Sequence, residues 1–227
     1  MQISTKKEWG KLLKKAKSGN RNAQFEVGYY YDDGIIKDNG KVILKADIIK
    51  AVKWYTKAAK QGEVSAQDAL GTTYSSGDRE IAINFKKAIK WTKRAIKQGS
   101  SSSAYNLGTI YRDLGKLKKA FKCYQKSIAM GDVDTNFDLF LCYYFGIGIK
   151  VNRKKAKKHL KKITKRTRPN FVSLYDYQNS FYWTALITLL EDGLNKKNIK
   201  KLQFMLAIAN EDNDHDQANE LLNKIGR

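Results

Sequence analysis

The feature that most constrains this chain is an internal repeat built from two short motifs. One motif begins with a Lys-Ala pair and ends on glycine, as in KAVKWYTKAAKQG and KAIKWTKRAIKQG. Its alanine recurs at Ala51, Ala88, Ala120 and Ala156, at spacings of 37, 32 and 36 residues. A unit of this length buries its apolar face only by stacking on its neighbours. The chain is therefore predicted to be a repeat array.

A second motif precedes each copy of the first, as in AQFEVGYYYDDG from Ala23 and AQDALGTTYSSG from Ala66. Apolar residues recur every three or four positions in both motifs, which indicates amphipathic helices. Each unit is thus helix A, a short loop and helix B, and Gly62, Gly99 and Gly131 are expected to cap the B helices. Gly28, Gly71 and Gly108, with the recurring alanines, are expected where the two helices meet closely.

The repeats divide the chain into three segments. Residues 1–21 are predicted to form an N-terminal capping helix, because WGKLLKKAKSG is similar to a lone helix B. Residues 22–164 contain four repeats, and residues 165–227 a degenerate fifth repeat followed by a C-terminal capping helix. The segment 164–174, with the chain's single proline, interrupts the array.

These residues resemble the Sel-one-like repeat family, which is related to tetratricopeptide repeats. The fourth unit carries the family's pattern most fully, at Tyr143, Gly146, Gly148, Ile149, Asn152, Lys155 and Ala156. The first unit matches around a loop that is seven residues longer, and the third departs most, with Leu114 in place of a loop glycine. The resemblance implies an all-α, right-handed α-solenoid of helix-turn-helix repeats, with A helices on the concave side. It also implies an adaptor role, or in bacteria an immunity protein that neutralises a toxin.

The net charge of +22 is concentrated on the B helices. The segments 50–62, 86–98, 116–130 and 150–168 hold 26 Lys and Arg residues and no Asp or Glu, so the rest of the chain has a net charge of −4. An excess of positive charge on one set of helices indicates, first of all, that these helices form a solvent-exposed face. It leaves the predicted concave side without excess positive charge.

The predicted concave side combines aromatic rings with a few carboxylates, which suits a bound peptide or protein segment. An alternative for each ring is packing against the next repeat. The expected groove residues are Phe25, Tyr29, Asp32, Asp33, Asp68, Thr72, Tyr105, Thr109, Arg112, Phe137, Leu141 and Tyr144, followed in the fifth unit by Thr184, Thr188 and Glu191. The main prediction is therefore a non-catalytic module that holds a partner polypeptide.

The alternative function is nucleic-acid or polyanion binding through the lysine-rich convex helices, since phosphate neutralisation needs many cations. The densest run is 150–168, which could equally be a solvated helix face. Its candidate anion contacts are Lys154, Lys157, Lys158, Lys161, Lys162 and Lys165. This run lacks interleaved aromatic residues, which disfavours base stacking on single strands.

Residue types that commonly serve in catalysis or cofactor binding do not form a recognisable motif in this sequence. His159 takes a helix B position held elsewhere by Trp54, Trp91 or Cys123, so a core role is expected, and His215 lies in a polar acidic stretch. Cys123 and Cys142 have no CxxC partner, and no phosphate-loop or hydrolase motif occurs. We expect no enzyme activity, cofactor or metal. The longest uncharged run, Tyr177 to Leu190, is too short to span a membrane, so a cytoplasmic location is expected.

Overall fold

The computed structural model describes residues 3, 5–36, 40, 42–78, 80–166, 185, 188–189, 194–209 and 216–225. It divides into two compact units, Met1–Asp132 and Val133–Arg227. Unit 1 contains α1 (Lys6–Lys17), α2 (Arg21–Asp33), β1 (Ile35–Ile36), β2 (Val42–Leu44), α3 (Ile48–Lys60), α4 (Val64–Ser76), α5 (Phe85–Lys97), α6 (Ser101–Asp113) and α7 (Leu117–Ala129). Unit 2 contains α8 (Asn136–Phe145), α9 (Arg153–Arg166), α10 (Ile199–Ala209) and α11 (Asp216–Ile225).

The repeats are confirmed as helix pairs. Helices α2, α4, α6 and α8 are the A helices, and α3, α5, α7 and α9 are the B helices that pack against them. The all-α solenoid of helix-turn-helix repeats predicted from the sequence is confirmed. The predicted B-helix caps are confirmed too: Gly62, Gly99 and Gly131 all have φ between 87° and 97°, a conformation that favours glycine.

In every unit helix B begins at the same joint with helix A. The backbone N–H of the residue before helix B donates to the carbonyl of a tyrosine near the end of helix A, over 2.6 to 2.8 Å. Three residues further on, a lysine ammonium lies 4.8 to 5.6 Å from the centroid of that tyrosine ring. The tyrosine and lysine pairs are Tyr31–Lys50, Tyr74–Lys87, Tyr111–Lys119 and Tyr143–Lys155. Part of the lysine excess on B helices therefore stabilises the fold.

Glycine allows the A and B helices of the first three units to touch, as the sequence predicted. A Cβ placed on Gly28 would lie 2.5 Å from the Tyr55 ring, and one on Gly108 would lie 2.5 Å from the Tyr124 ring. In the second unit, a Cβ on Gly71 would lie 2.6 Å from Thr92 Oγ1. The recurring alanines of the B helices are buried as well, with at most 1% exposure.

In the fourth unit, the large side chain of this contact lies on helix A and the smaller one on helix B. Three residues before its joint tyrosine, Phe140 stands where the other units have glycine. Leu160 stands on α9 at the place of Tyr55, and both side chains are 1% exposed. The large ring therefore comes from helix A in this unit, and from helix B in the first and third.

Helix α1 contacts α2 in the way that a B helix contacts the next repeat. Gln24 Nε2 on α2 donates to Ala16 O at the end of α1, over 3.1 Å. Gln67 Nε2 on α4 makes the same 3.1 Å bond to Ala59 O at the end of α3. Because these bonds are equivalent, α1 packs on α2 as α3 packs on α4. The role of residues 1–21 as an N-terminal cap stays a prediction.

The longer loop of the first unit forms a small hairpin, which the sequence reading did not anticipate. Strands β1 and β2 are antiparallel, with Ile35 opposite Leu44 and Ile36 opposite Val42. In the sequence, β-branched residues stand on both sides of an Asn-Gly pair, a combination that favours a β-hairpin. In the later part of the chain, α10 and α11 lie in the segments predicted for the last B helix and the capping helix. Most of the predicted fifth helix A, Thr184 and Glu191 included, lies outside the described residues.

The close approach at glycine predicts that Gly28→Ala lowers the free energy of unfolding by about 1–3 kcal/mol, since the methyl group must displace the buried Tyr55 ring. Gly10→Ala on α1 is the matched control, because a Cβ there meets nothing within 4 Å. It should raise the free energy of unfolding by about 0.5–1 kcal/mol. Urea unfolding followed by circular dichroism measures both changes. Equal effects of the two substitutions would contradict the close approach.

Candidate interaction surface

The A helices of unit 1 present corresponding positions on one face, which can be aligned through the joint tyrosines. Groove candidates recur six and two residues before that tyrosine on α2, α4 and α6, and one residue after it on α2 and α6. The A-helix face is defined by these residues and Asp33: Phe25, Tyr29, Asp32, Asp33, Asp68, Thr72, Tyr105, Thr109 and Arg112. These are nine of the fifteen groove residues named from the sequence.

The first repeat supplies the most exposed part of the A-helix face. The Tyr29 side chain is 49% exposed, and Asp32 and Asp33 beside it are exposed too. A hydrogen bond to Asp33 and the negative charge of that carboxylate raise the pKa of Tyr29. Burial of part of its carboxyl group raises the pKa of Asp32, while a 3.1 Å hydrogen bond from Tyr55 Oη opposes the shift. An aromatic ring here lies among carboxylates on a solvated surface.

Asp68 is half-buried and links the second repeat to the third. Its Oδ2 accepts hydrogen bonds from Ser100 Oγ over 2.8 Å and from Ser102 Oγ over 3.4 Å, at the start of α6. Burial raises the pKa of Asp68, and these two hydrogen bonds oppose the rise. One turn further along α4, exposed Thr72 accepts from Asn106 Nδ2 over 3.3 Å. The middle of the A-helix face is thus held by polar contacts between α4 and α6.

Two aromatic residues of the A-helix face belong partly to the core. Phe25 packs against Tyr55 with ring centroids 5.8 Å apart, and Tyr105 packs against Tyr124 at 5.9 Å. Both are half-buried, as are Thr109 and Arg112. Packing therefore accounts for much of the Phe25 and Tyr105 surface.

The fourth repeat corrects the sequence prediction, because Phe137, Leu141 and Tyr144 are 3%, 1% and 6% exposed and do not form an open groove. Nine of the ten residues of α8 are buried. The Arg153 guanidinium lies 3.6 Å from the centroid of the Tyr144 ring, and Tyr144 Oη accepts a 2.8 Å hydrogen bond from Leu194 N. Residues of unit 2 itself therefore hold the Tyr144 side chain. Thr188 of the fifth unit is also buried.

The lysine-rich helix α9 lines an open groove of about 730 Å³ with Asn152 and six lysines. Ala156 and Leu160 are buried, so the opposite side of α9 carries the charge. The five exposed candidates with described side chains are Lys154, Lys157, Lys158, Lys161 and Lys162. The Lys165 side chain lies outside the described part.

His159 is a packed side chain, as the sequence suggested. Its ring stacks on Tyr143 with centroids 5.6 Å apart, and its Nδ1 lies 2.9 Å from Asn136 Oδ1. Burial lowers the pKa of His159 to about 4, with smaller contributions from Lys162, Lys158 and Lys155. No group of three potential metal-ligating side chains occurs within the described ranges. Among the helices that the structure describes, none has the length and apolar character needed to cross a membrane.

Comparison with known proteins identifies the repeat. The Sel1 repeat family model matches residues 21–63, 64–100, 101–132 and 133–166, which make up more than half of the chain. The chain belongs to the Sel1 repeat family. Sel1 repeat proteins are generally protein-interaction modules and are typically non-catalytic scaffolds. No curated protein sequence matches this chain at a significant level.

Solved structures of other Sel1 repeat proteins share the fold. A protective antigen of uropathogenic Escherichia coli with an SLR fold is 25% identical, with a TM-score of 0.67 over 95% of this chain. This chain spans only 43% of that protein's length. A Sel1 repeat protein from Oxalobacter formigenes is 23% identical, with a TM-score of 0.62, and the match covers 92% of this chain and 77% of that one. One from Klebsiella pneumoniae subsp. pneumoniae is 21% identical, with a TM-score of 0.51, over 96% and 98% of the two chains.

Sequence reasoning missed the side chains that hold the A-helix face together. Ser100 and Asn106 join α6 to α4 through Asp68 and Thr72, and Tyr55 orients Asp32 from helix B. The one available signal was the run of four serines at positions 100–103 around the start of α6, where α4 has a single serine and α2 has none. A polar contact between neighbouring repeats leaves no periodic pattern in the sequence, so the repeat pattern did not reveal these contacts.

The surroundings of His159 predict that its imidazole remains neutral down to a pH near 4, because burial and neighbouring lysines disfavour the charged ring. An NMR titration of the imidazole carbon-bound protons gives the midpoint, and His159→Phe identifies the signal by its loss. A midpoint near the ordinary histidine value of 6.5 would contradict the packed environment of this side chain.

Proposed function

We propose that this Sel1 repeat protein binds a partner polypeptide on the A-helix face of its first three repeats, and that its role is binding rather than catalysis. The observation that carries this proposal is Tyr29, an aromatic side chain that is 49% exposed on a regular helix. Exposed aromatic anchors dominate the energetics of protein interfaces. The family's general use as interaction modules supports the same conclusion.

Carboxylates around Tyr29 favour a partner segment with positive charge. Asp32 and Asp33 are exposed, and the raised pKa of Tyr29 reflects the negative potential at that ring. In the part of the chain that the structure describes, the two ion pairs found are Lys50–Asp47 and Arg112–Asp113, so neither involves this pair of carboxylates. A lysine or arginine of the partner could pair with these carboxylates and also lie over the face of the Tyr29 ring.

The proposed binding surface lies on unit 1. Phe137, Leu141 and Tyr144 of unit 2 are left out of it because they are buried. Thr72 and the half-buried Thr109 and Arg112 extend the surface along α4 and α6. An interface of this kind serves an adaptor or an immunity protein that neutralises a toxin. A cytoplasmic location remains a prediction.

The test compares binding of the native-host partner to three forms of the full chain. Tyr29→Ala with Asp33→Asn removes the exposed ring and one carboxylate, and should weaken binding by about 10-fold or more, because loss of an anchor at an interface costs over 1 kcal/mol. Phe204→Ala is the matched control, since this α10 ring is 64% exposed but lies in unit 2. Partner recovered with the unaltered chain is purified and titrated calorimetrically against each form.

Unchanged affinity of the Tyr29 and Asp33 variant, with correct folding by circular dichroism, would contradict the proposed surface. A loss of affinity in the Phe204 variant alone would move the interface to unit 2. Co-expression of the partner with each form then separates the two roles, since rescue of host growth that depends on Tyr29 indicates toxin neutralisation.

A further inference from the structure

Helix α9 carries more charge of one sign than its packing needs. Its sequence RKKAKKHLKKITKR holds nine Lys and Arg residues in 14 positions, with no acidic residue. Two of these serve the fold, since Lys155 lies over the Tyr143 ring and Arg153 over the Tyr144 ring. Like charges so close together repel one another, so the helix tolerates this density at a cost in stability.

The exposed lysines of α9 form a row along the helix. Lys154, Lys157, Lys158 and Lys162 are all exposed, whereas Ala156 and Leu160 on the other side are buried. Eight residues separate the first of these lysines from the last, a rise of about 12 Å along an α-helix. Four positive charges thus occupy a strip about as long as two helical turns.

The space beside this row is a shallow, open groove. Its volume is about 730 Å³, and the described residues that line it are Asn152 and six lysines. The positive potential also reaches the core side of the helix, where Lys162, Lys158 and Lys155 contribute to the low pKa of His159.

We propose that the lysine row of α9 binds the phosphate backbone of double-stranded nucleic acid without reading its bases. Each strand of B-DNA carries about one negative charge per 3.4 Å of the axis, a spacing close to that of the charges in the lysine row. Lysine acts on phosphate as a point charge, while base recognition more often uses arginine. The described residues that line the groove include no aromatic ring for stacking, which disfavours single strands as the preferred ligand. This site belongs to unit 2, whereas the A-helix face belongs to unit 1.

The experiment measures binding of the full, nuclease-treated chain to a DNA duplex of random sequence across a salt series. Four lysine–phosphate contacts give a slope of log K against log salt near −3.6, or a loss of about 100-fold between 50 and 200 mM salt. In the variant Lys154→Gln, Lys157→Gln, Lys158→Gln and Lys162→Gln, most of this affinity and slope should disappear. The control places the same four changes at Lys86, Lys90, Lys93 and Lys97 on α5, which are also exposed.

Three results would overturn the proposal. Equal losses in the α5 and α9 variants would mean that net charge alone attracts DNA. Absence of duplex binding at low salt would exclude the site, since both variants and the unaltered chain can be checked for folding by circular dichroism. Tighter binding at equal ionic strength to polyglutamate, or to phosphatidylserine vesicles, would assign the row to an acidic protein or a lipid surface.

Discussion

Each unit of the array depends on the joint at which helix A ends and helix B begins. The tyrosine carbonyl that accepts the backbone N–H before helix B fixes the separation of the two helices, and the lysine over the tyrosine ring covers the joint from solvent. This arrangement is the same in all four repeats, although the loops between their helices differ in length. At each joint one lysine side chain packs on the tyrosine ring, so part of the chain's net charge of +22 contributes to packing.

Unit 2 shows what happens when the small residue of the helix contact is exchanged. Phe140 brings a large ring to the position that glycine holds elsewhere, and α8 becomes almost wholly buried. Tyr144 is then held by Arg153 and Leu194, and is no longer available to a partner. One repeat motif thus yields an exposed helix A in the first unit and a core helix in the fourth.

Helix pairs, caps and glycine contacts could be predicted because each imposes a residue type at a fixed spacing. Gly28 and Ala51 recur for a steric reason, so their equivalents are visible in the sequence. The burial of Phe137 and Leu141 could not be predicted, since large apolar residues suit both an interface and a core. Contacts such as Tyr55 with Asp32 or Leu194 with Tyr144 join residues 23 and 50 positions apart, and no local pattern encodes them.

The central claim is that the tyrosines predicted for the groove are open to solvent in the first repeat and buried in the fourth. Hydroxyl-radical footprinting with mass spectrometry tests it directly, because ring oxidation follows solvent access and does not depend on ionisation of the phenol. The structure predicts rapid oxidation of Tyr29, which is 49% exposed, and strong protection of Tyr144, which is 6% exposed. Equal oxidation rates at the two tyrosines would contradict the account.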